Sequence, residues 1–460
     1  MIISLTNNSN RRWWLLFHIL LGAAATFSNV FVIVWFYAVL VQSFYLLSFS
    51  TLNRQLVIAA TMVYIGGFEL IARMTKCSPI IPWEASKYLF TVFCIMGYTI
   101  AAKPATLKSY GWAIIALAIP AIFIDKSGDV STNEIIFNVL GIINIGMGVL
   151  FFSTIRIHRS ELSDLISLMV YACISVLVYT IIKTPDLDDI EFSLGAKFAT
   201  SGEFGSNQVS TVLGLGFFVM AVSFILNWQL ASSRILDGMI AIAFFIQGLL
   251  TFSRGGMIAA LLSLVVFLYF VMKSGYQAGV IAIRLKQLMI PLIAFIFLAM
   301  VYVNEWTGGN LLLRYSGETY GTMLGTRDKN LATITSNRNI VFMNDIDLWF
   351  QHPVLGAGVG ASKYLRSEGR GIPAHVELSR LLAEHGILGL FIFILFLFTS
   401  RHYYREPDML VKALKLSLFS LAILTSFHSA TRTFLTPLLI SLCTINVVYN
   451  NPKNDIVPGQ

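Results

Sequence analysis

Thr335-Ser-Asn-Arg338-Asn-Ile-Val-Phe-Met-Asn-Asp-Ile-Asp-Leu-Trp-Phe350-Gln-His352-Pro353, followed by Val-Leu-Gly356-Ala-Gly358-Val-Gly360, is a polar and aromatic stretch in a chain that is otherwise mostly apolar. A basic run separates it from Pro373-Ala-His375-Val-Glu-Leu-Ser-Arg-Leu-Leu-Ala-Glu384-His-Gly386-Ile-Leu-Gly389. Together they form the heart of one hydrophilic excursion, roughly Asn304 to His385. Nearly every other segment is long and apolar enough to lie in a bilayer. Water-soluble groups need polar residues to meet, so the chemistry of such a chain is expected in its excursion, with the rest as a frame.

Composition supports this division. Of 460 residues, 56% are hydrophobic and 12% charged, against about 25% charged in an average soluble domain. Apolar runs of about 20 residues recur, each enough to cross a hydrocarbon core about 30 Å thick. The expected fold is therefore all-α and polytopic, with about twelve to fourteen transmembrane helices and one large helical loop. Three regions follow: membrane helices over 1–303, the excursion over 304–385, and C-terminal membrane helices with a short tail over 386–460. The net charge of +8 is spread over connections between spans, so nucleic acid is not an expected partner. Cys77, Cys94, Cys173 and Cys443 are widely spaced, which argues against a disulfide framework or a zinc site. Arg11-Arg12-Trp13-Trp14 leads into an apolar run without a small-residue cleavage site, and reads as a membrane helix with an interfacial anchor.

Orientation follows from Lys and Arg in the short connections. One set carries Arg11, Arg54, Lys103, Arg156, Arg159, Arg234, Lys273 and Arg401. The alternate set includes the acidic Asp186-Leu-Asp188-Asp189-Ile-Glu191. The basic set is expected in the cytoplasm with both termini, and the excursion, the Ser253-Arg254-Gly255 turn and the His428–Arg432 turn outside.

Several polar residues of the outer face carry two readings. Arg254 sits in a tight turn where Gly255 and Gly256 permit close backbone approach; it is either a ligand contact or a snorkelling anchor. Arg338 opens a helix behind Ser336 or Asn337 as N-cap. A cation there opposes the helix dipole, yet the free N–H groups beside it suit an anion. Its alternative is packing through the face it shares with Phe342, Asp345 and Trp349. His375 follows Pro373, which suits an early helical position, and shares its side with Ser379, Leu382 and Gly386. Glu377, Arg380 and Glu384 fall opposite, as a salt-bridge ladder, so Glu384 is not expected to orient His375. Glu69, Arg73, Glu84 and Lys87 are ionisable groups in or beside spans, which default to function unless they pair locally. Glu203 and Asn207 stand at the outer entrance of another span. No close metal-ligand spacing is present, and Gly356-Ala-Gly358-Val-Gly360 follows a helix rather than a strand, unlike a nucleotide loop.

Ser253-Arg254-Gly255, Asn337-Arg338 ahead of an aromatic helix, His352-Pro353-Val-Leu-Gly356-Ala-Gly358, and Ala374-His375 leading into Leu382-Ala-Glu384-His-Gly386-Ile-Leu-Gly389 resemble the O-antigen ligase and polymerase superfamily. The resemblance covers the C-terminal half, with Gly202–Asn207 as a further, looser feature. One departure is Val376, where the family histidine is commonly followed by asparagine. The resemblance implies a GT-C-like, metal-independent glycosyltransferase without cofactor in the bacterial inner membrane. It implies transfer from undecaprenyl diphosphate to an acceptor hydroxyl at the periplasmic face. Arg254 and Arg338 would bind the diphosphate, and His375 would serve the attacking hydroxyl. Topology alone adds Arg432 to the diphosphate site, and Glu203, Asn207, Glu69 and Arg73 to the entrance or acceptor side. A ligase acting on lipid A–core is the leading expectation. A polymerase or a protein oligosaccharyltransferase shares the donor. A lipid-linked sugar flippase is the reading from a different class; it predicts repeated halves and polar groups at mid-bilayer.

Overall fold

The computed structural model describes residues 8–186, 190, 192, 194–273, 279–431 and 433–449; Asp188, Asp189, Glu191 and Arg432 lie outside them. Apolar backbone in a bilayer must satisfy its own N–H and C=O groups, which a helix does internally. The described chain is accordingly almost all helix. The first part runs α1 (Asn8–Ala25), α2 (Val30–Phe49), α3 (Arg54–Met74), α4 (Ala85–Thr99), α5 (Lys108–Ala118), α6 (Thr132–Phe152) and α7 (Arg159–Lys183). Then come α8 (Ser206–Leu226), α9 (Arg234–Leu250), α10 (Arg254–Lys273) and α11 (Gly279–Trp306).

The excursion folds as six short helices: α12 (Asn310–Tyr315), α13 (Tyr320–Met323), α14 (Leu331–Thr335), α15 (Arg338–Gln351), α16 (Ser362–Leu365) and α17 (Glu377–His385). The chain closes with α18 (Ile387–Tyr404), α19 (Met409–Ser426) and α20 (Leu435–Cys443).

Eight of the described helices are long and apolar enough to cross a membrane: α2, α3, α6, α7, α8, α10, α18 and α19. The molecule is a polytopic membrane protein. Shorter apolar pieces, among them 108–123 and 290–306, accompany them. Burial sorts centre from periphery: the apolar windows of α3 and α8 are 89% buried and that of α2 only 22%.

The connections gather at two ends. At one, the Arg11 guanidinium donates to the Trp228 carbonyl, Gln55 bonds Thr154 at 2.8 Å, and Arg159 meets Asp408 at 3.5 Å. A two-residue parallel pairing, β1 (Arg156–Ile157) with β2 (Asn446–Val447), ties the α6–α7 connection to the C-terminal segment there. At the other end, the Ala430 N–H donates to the His375 carbonyl at 3.0 Å, and Arg254 bonds Ser336 at 3.2 Å. The excursion thus rests on the α9–α10 turn and the turn after α19.

Two glycines set how closely this end packs. A Cβ on Gly256 would lie 2.3 Å from the Ser210 backbone, and one on Gly255 would lie 2.4 Å from the His428 ring. Small residues let membrane helices bring their backbones together. Here they press the start of α10 against the start of α8 and the end of α19.

Candidate active site at the α8, α10 and α15 N-termini

The α9–α10 turn is tight: Phe252 takes a left-handed φ of 55° and Arg254 opens α10 immediately after it. Arg254 donates to the Arg314 carbonyl at 2.9 Å, the Ile334 carbonyl at 2.6 Å and the Ser336 hydroxyl at 3.2 Å. Arg314, in the last turn of α12, reaches back to the Phe252 carbonyl at 3.4 Å. This mutual clasp fixes the first half of the excursion to the membrane hairpin. Arg254 is therefore more than an interfacial anchor.

Arg338 opens α15. Asn337 is the N-cap residue, in the left-handed region and without a side-chain cap. The next N–H groups are spoken for, Asn339 N–H by the Thr335 hydroxyl at 3.3 Å and Ile340 N–H by the Asn337 carbonyl at 3.2 Å, so the anion capacity here rests on the Arg338 guanidinium. Arg338 donates to Asn207 Oδ1 at 3.1 Å, and the same oxygen accepts from Ser253 at 2.8 Å. Asn207, in the first turn of α8, joins both arginine-bearing elements. Asp345, on the helical face of Arg338, does not neutralise it. That carboxylate pairs with Arg366 at 2.6 Å, both side chains fully buried, and accepts from Ser379 at 2.7 Å.

Arg254, Arg314 and Arg338 are all half-buried, and every acceptor they find is a neutral oxygen. Burial, then Arg254 and Arg338, push the Arg314 guanidinium down to about 10. Burial and then Arg254 also lower Arg338. Both remain cationic at neutral pH, so three positive charges share one corner. Beside them the Tyr315 hydroxyl is buried without a hydrogen-bond partner. Arg314 and Tyr315 escaped the sequence reading because nothing in Leu311-Leu-Leu-Arg314-Tyr315 distinguishes a ligand from an interfacial residue; their neighbours are distant in sequence.

His375 is placed differently from its sequence expectation. It precedes α17, whose N-cap residue is Val376, so it is not helical and does not share a helical face with Ser379, Leu382 and Gly386. Its carbonyl accepts from Ala430, and this contact with the last turn holds 375–376 outside the helix. The imidazole is half-buried. In the same turn His428 bonds Thr211 at 2.9 Å, and Thr211 donates to the Asn207 carbonyl at 2.7 Å. Burial, then Arg338, push the His428 imidazole down to about 4. The 428–431 turn therefore connects the His375 segment to the start of α8, where Arg338 docks.

The acid–base pairs expected at helical spacing form, but inside the protein. Arg380 holds Glu377 at 2.5 Å and Glu384 at 3.1 Å, with Thr431 N–H donating to Glu377 at 3.1 Å. Arg73 pairs with Glu69 at 2.6 Å and also with Glu84 at 3.2 Å, which holds Lys87 at 2.9 Å. Local pairing thus extends into one four-residue network. Glu69 also accepts from Phe434 N–H at 2.8 Å, and Arg73 reaches Gln208, next to Asn207, at 3.4 Å. Glu203 is exposed in the turn before α8.

Residues 239–394 match the family model described as O-antigen ligase. The matched span opens in α9, takes in Arg254, Arg314, Arg338 and His375, and closes in α18. No curated protein matches the chain. The family match supports the O-antigen ligase and polymerase superfamily and a glycosyltransferase-type enzyme of lipopolysaccharide biosynthesis. A family of that description implies, in general terms, a lipid-linked glycan and an acceptor as substrates. Asn207, Thr211 and His428, which complete the corner, lie outside the matched span.

Proposed function

We propose that the chain transfers a glycan from undecaprenyl diphosphate to an acceptor hydroxyl at the periplasmic face of the bacterial inner membrane, as an O-antigen ligase acting on lipid A–core. The observation that carries this reading is the trio Arg254, Arg314 and Arg338, brought together without a carboxylate partner among the described residues. Half-buried cations that meet only neutral oxygens are suited to a ligand of opposite sign. Guanidinium forks match phosphate oxygens, often bidentately. The basic connections argue for the opposite end in the cytoplasm, which makes this corner and the 304–385 excursion periplasmic.

The chemistry divides between two sides of the corner. The acceptor oxygen attacks the anomeric carbon as the bond from that carbon to the diphosphate oxygen breaks. Undecaprenyl diphosphate leaves with the bonding pair, and the arginines stabilise the charge it gains. The hydroxyl proton passes to His375 acting as general base. The arginines fill the role that a divalent cation plays beside diphosphates elsewhere, so EDTA is expected to leave the transfer rate unchanged. An apolar cavity of about 400 Å³ opens between α8, α9, α10 and α11, with Phe217, Phe224, Ile242, Leu268 and Phe295 among its walls. Phe217 lies ten residues, about 15 Å, along α8 from Asn207. That spacing suits a prenyl chain running down from the arginines.

The glycan profile of a deletion strain tests the reading. Finished polymer accumulating on the carrier lipid is the ligase result. Single repeat units on core indicate a polymerase, and loss of glycan from protein alone indicates a protein oligosaccharyltransferase. Absence of outward-facing lipid-linked sugar indicates a flippase.

A further inference from the structure

A second cavity, polar and of about 170 Å³, lies on the His375 side of the corner and takes no part in the arginine cluster. Its walls are the outer end of α6, the start of α16, one face of α17, and the segments 373–374 and 430–431. The charges here are compensated, unlike those of the trio. Lys363 pairs with Glu134, which also accepts from the Tyr364 hydroxyl at 2.8 Å. Arg380 is held between Glu377 and Glu384. Two bases against three acids leave no positive excess, so a phosphate or carboxylate finds no attraction.

What the cavity offers is alternating hydrogen-bond capacity. Glu134 and Glu384 accept, and Lys363 and Arg380 donate. Asn138 spends its amide N–H on the Glu134 carbonyl at 2.9 Å and keeps its amide oxygen as an acceptor. Thr431 already bridges Arg380 and Glu377, so a ligand would add to these bonds through remaining lone pairs and the ammonium of Lys363. Phe137, Pro373 and Ala374 supply an apolar wall. Alternating donors and acceptors beside an apolar face match a sugar ring, whose hydroxyls both donate and accept and whose C–H face is apolar. The volume accommodates one pyranose ring. Ala374 and Ala430 belong to its wall; Ala374 precedes His375 in the chain, and the Ala430 N–H is the donor of the backbone bond to the His375 carbonyl. A ring seated here lies next to Ala374, one residue from His375, and outside the Arg254, Arg314 and Arg338 cluster.

We propose that this cavity is the acceptor subsite, binding one neutral pyranose of the acceptor glycan so that a hydroxyl faces His375. The inference rests on the transfer reading above and adds the chemistry of the acceptor: a neutral hexose-type sugar at the point of attachment. It also assigns Asn138, Lys363 and Thr431 as specificity-determining contacts.

The test is saturation-transfer NMR on the full chain in nanodiscs, with glucose and N-acetylglucosamine as probes and inorganic phosphate as competitor. Two variants separate contact loss from misfolding: Asn138→Phe fills the cavity from α6, and Lys363→Ala removes one quarter-exposed donor. Saturation of at least one sugar is expected in the wild type, falling about fivefold or more in both variants, the loss of one or two hydrogen bonds. Undecaprenyl diphosphate binding is expected to be unchanged in both, which also shows that they fold. Equal saturation in wild type and variants, no saturation of either sugar, or displacement of the sugar by phosphate overturns the acceptor assignment while diphosphate binding stands. Wild-type protein that fails to bind undecaprenyl diphosphate overturns the transfer reading, and the acceptor role with it.

Discussion

Two groups of enclosed charge lie within one residue of each other along α8 and have opposite character. Gln208 touches Arg73, which belongs to a set of two acids and two bases: Glu69, Glu84, Arg73 and Lys87. Asn207 touches Arg338, which belongs to three bases with no acid. Burying an ion away from water costs several kcal/mol unless a partner repays it. The quartet is repaid inside the protein and holds α3 and α4 together. The trio is left open to an outside partner. Paired charge therefore marks architecture here, and unpaired charge marks the site.

The largest expected effect breaks the paired set. Arg73→Ala leaves Glu69 and Glu84 without their shared partner, and removing one member of a buried pair costs about 3–5 kcal/mol. Thermal unfolding of the purified protein should drop accordingly, with transfer lost because the folded fraction is lost. Next comes the trio. Arg338→Lys and Arg314→Lys keep the charge but not the planar fork. Each should slow transfer by roughly ten- to a hundredfold, the worth of a charge-assisted bond of about 1.5–3 kcal/mol, with unfolding nearly unchanged. Equal stability losses in the two sets would erase the distinction between them.

A third effect is smaller at moderate pH. His428, held down to about 4 by burial and then Arg338, binds its proton in the unfolded chain near 6.5 but not in the fold. Unfolding therefore takes up protons between those values, and stability is full above about 6.5 and falls with pH. By pH 5 the loss from His428 is about 2 kcal/mol. His385, buried and pushed down to about 3, acts in the same direction. The difference in unfolding temperature between wild type and His428→Gln across pH 7 to 5 isolates the His428 share. The smallest effect is Asn207→Ala. It removes one acceptor shared by Ser253 and Arg338, for about 0.5–1.5 kcal/mol of stability, measurable by urea or thermal unfolding. Because it frees Arg338, diphosphate affinity should hold or rise.

The frame was readable from the sequence because apolar runs long enough to span a bilayer leave the backbone one inexpensive solution, the helix. α3, α7 and α8 are such runs, each long and apolar enough to cross a membrane, while the last described helix, α20, has only nine residues. The arginines of the quoted turns were visible as residues, since Arg254 and Arg338 each break an apolar or capping pattern. Their association with Arg314 was not, because it depends on a turn, α12 and α15 meeting in space. Pro373 predicts an early helical position for His375, and the Ala430–His375 backbone bond shows why local spacing fails there. A tertiary hydrogen bond from 55 residues away outweighs a helical turn that had not yet begun.

The most direct measurement is a cryo-electron microscopy structure of the full chain in nanodiscs with undecaprenyl diphosphate bound. The account predicts both phosphates in the corner between the α9–α10 turn and the start of α15. Their oxygens should lie within about 3 Å of guanidinium nitrogens from at least two of Arg254, Arg314 and Arg338, with the prenyl chain along α8 to α11. Phosphates bound at Arg73, at Arg380 or at the opposite membrane end, with the trio still facing only neutral oxygens, would contradict it.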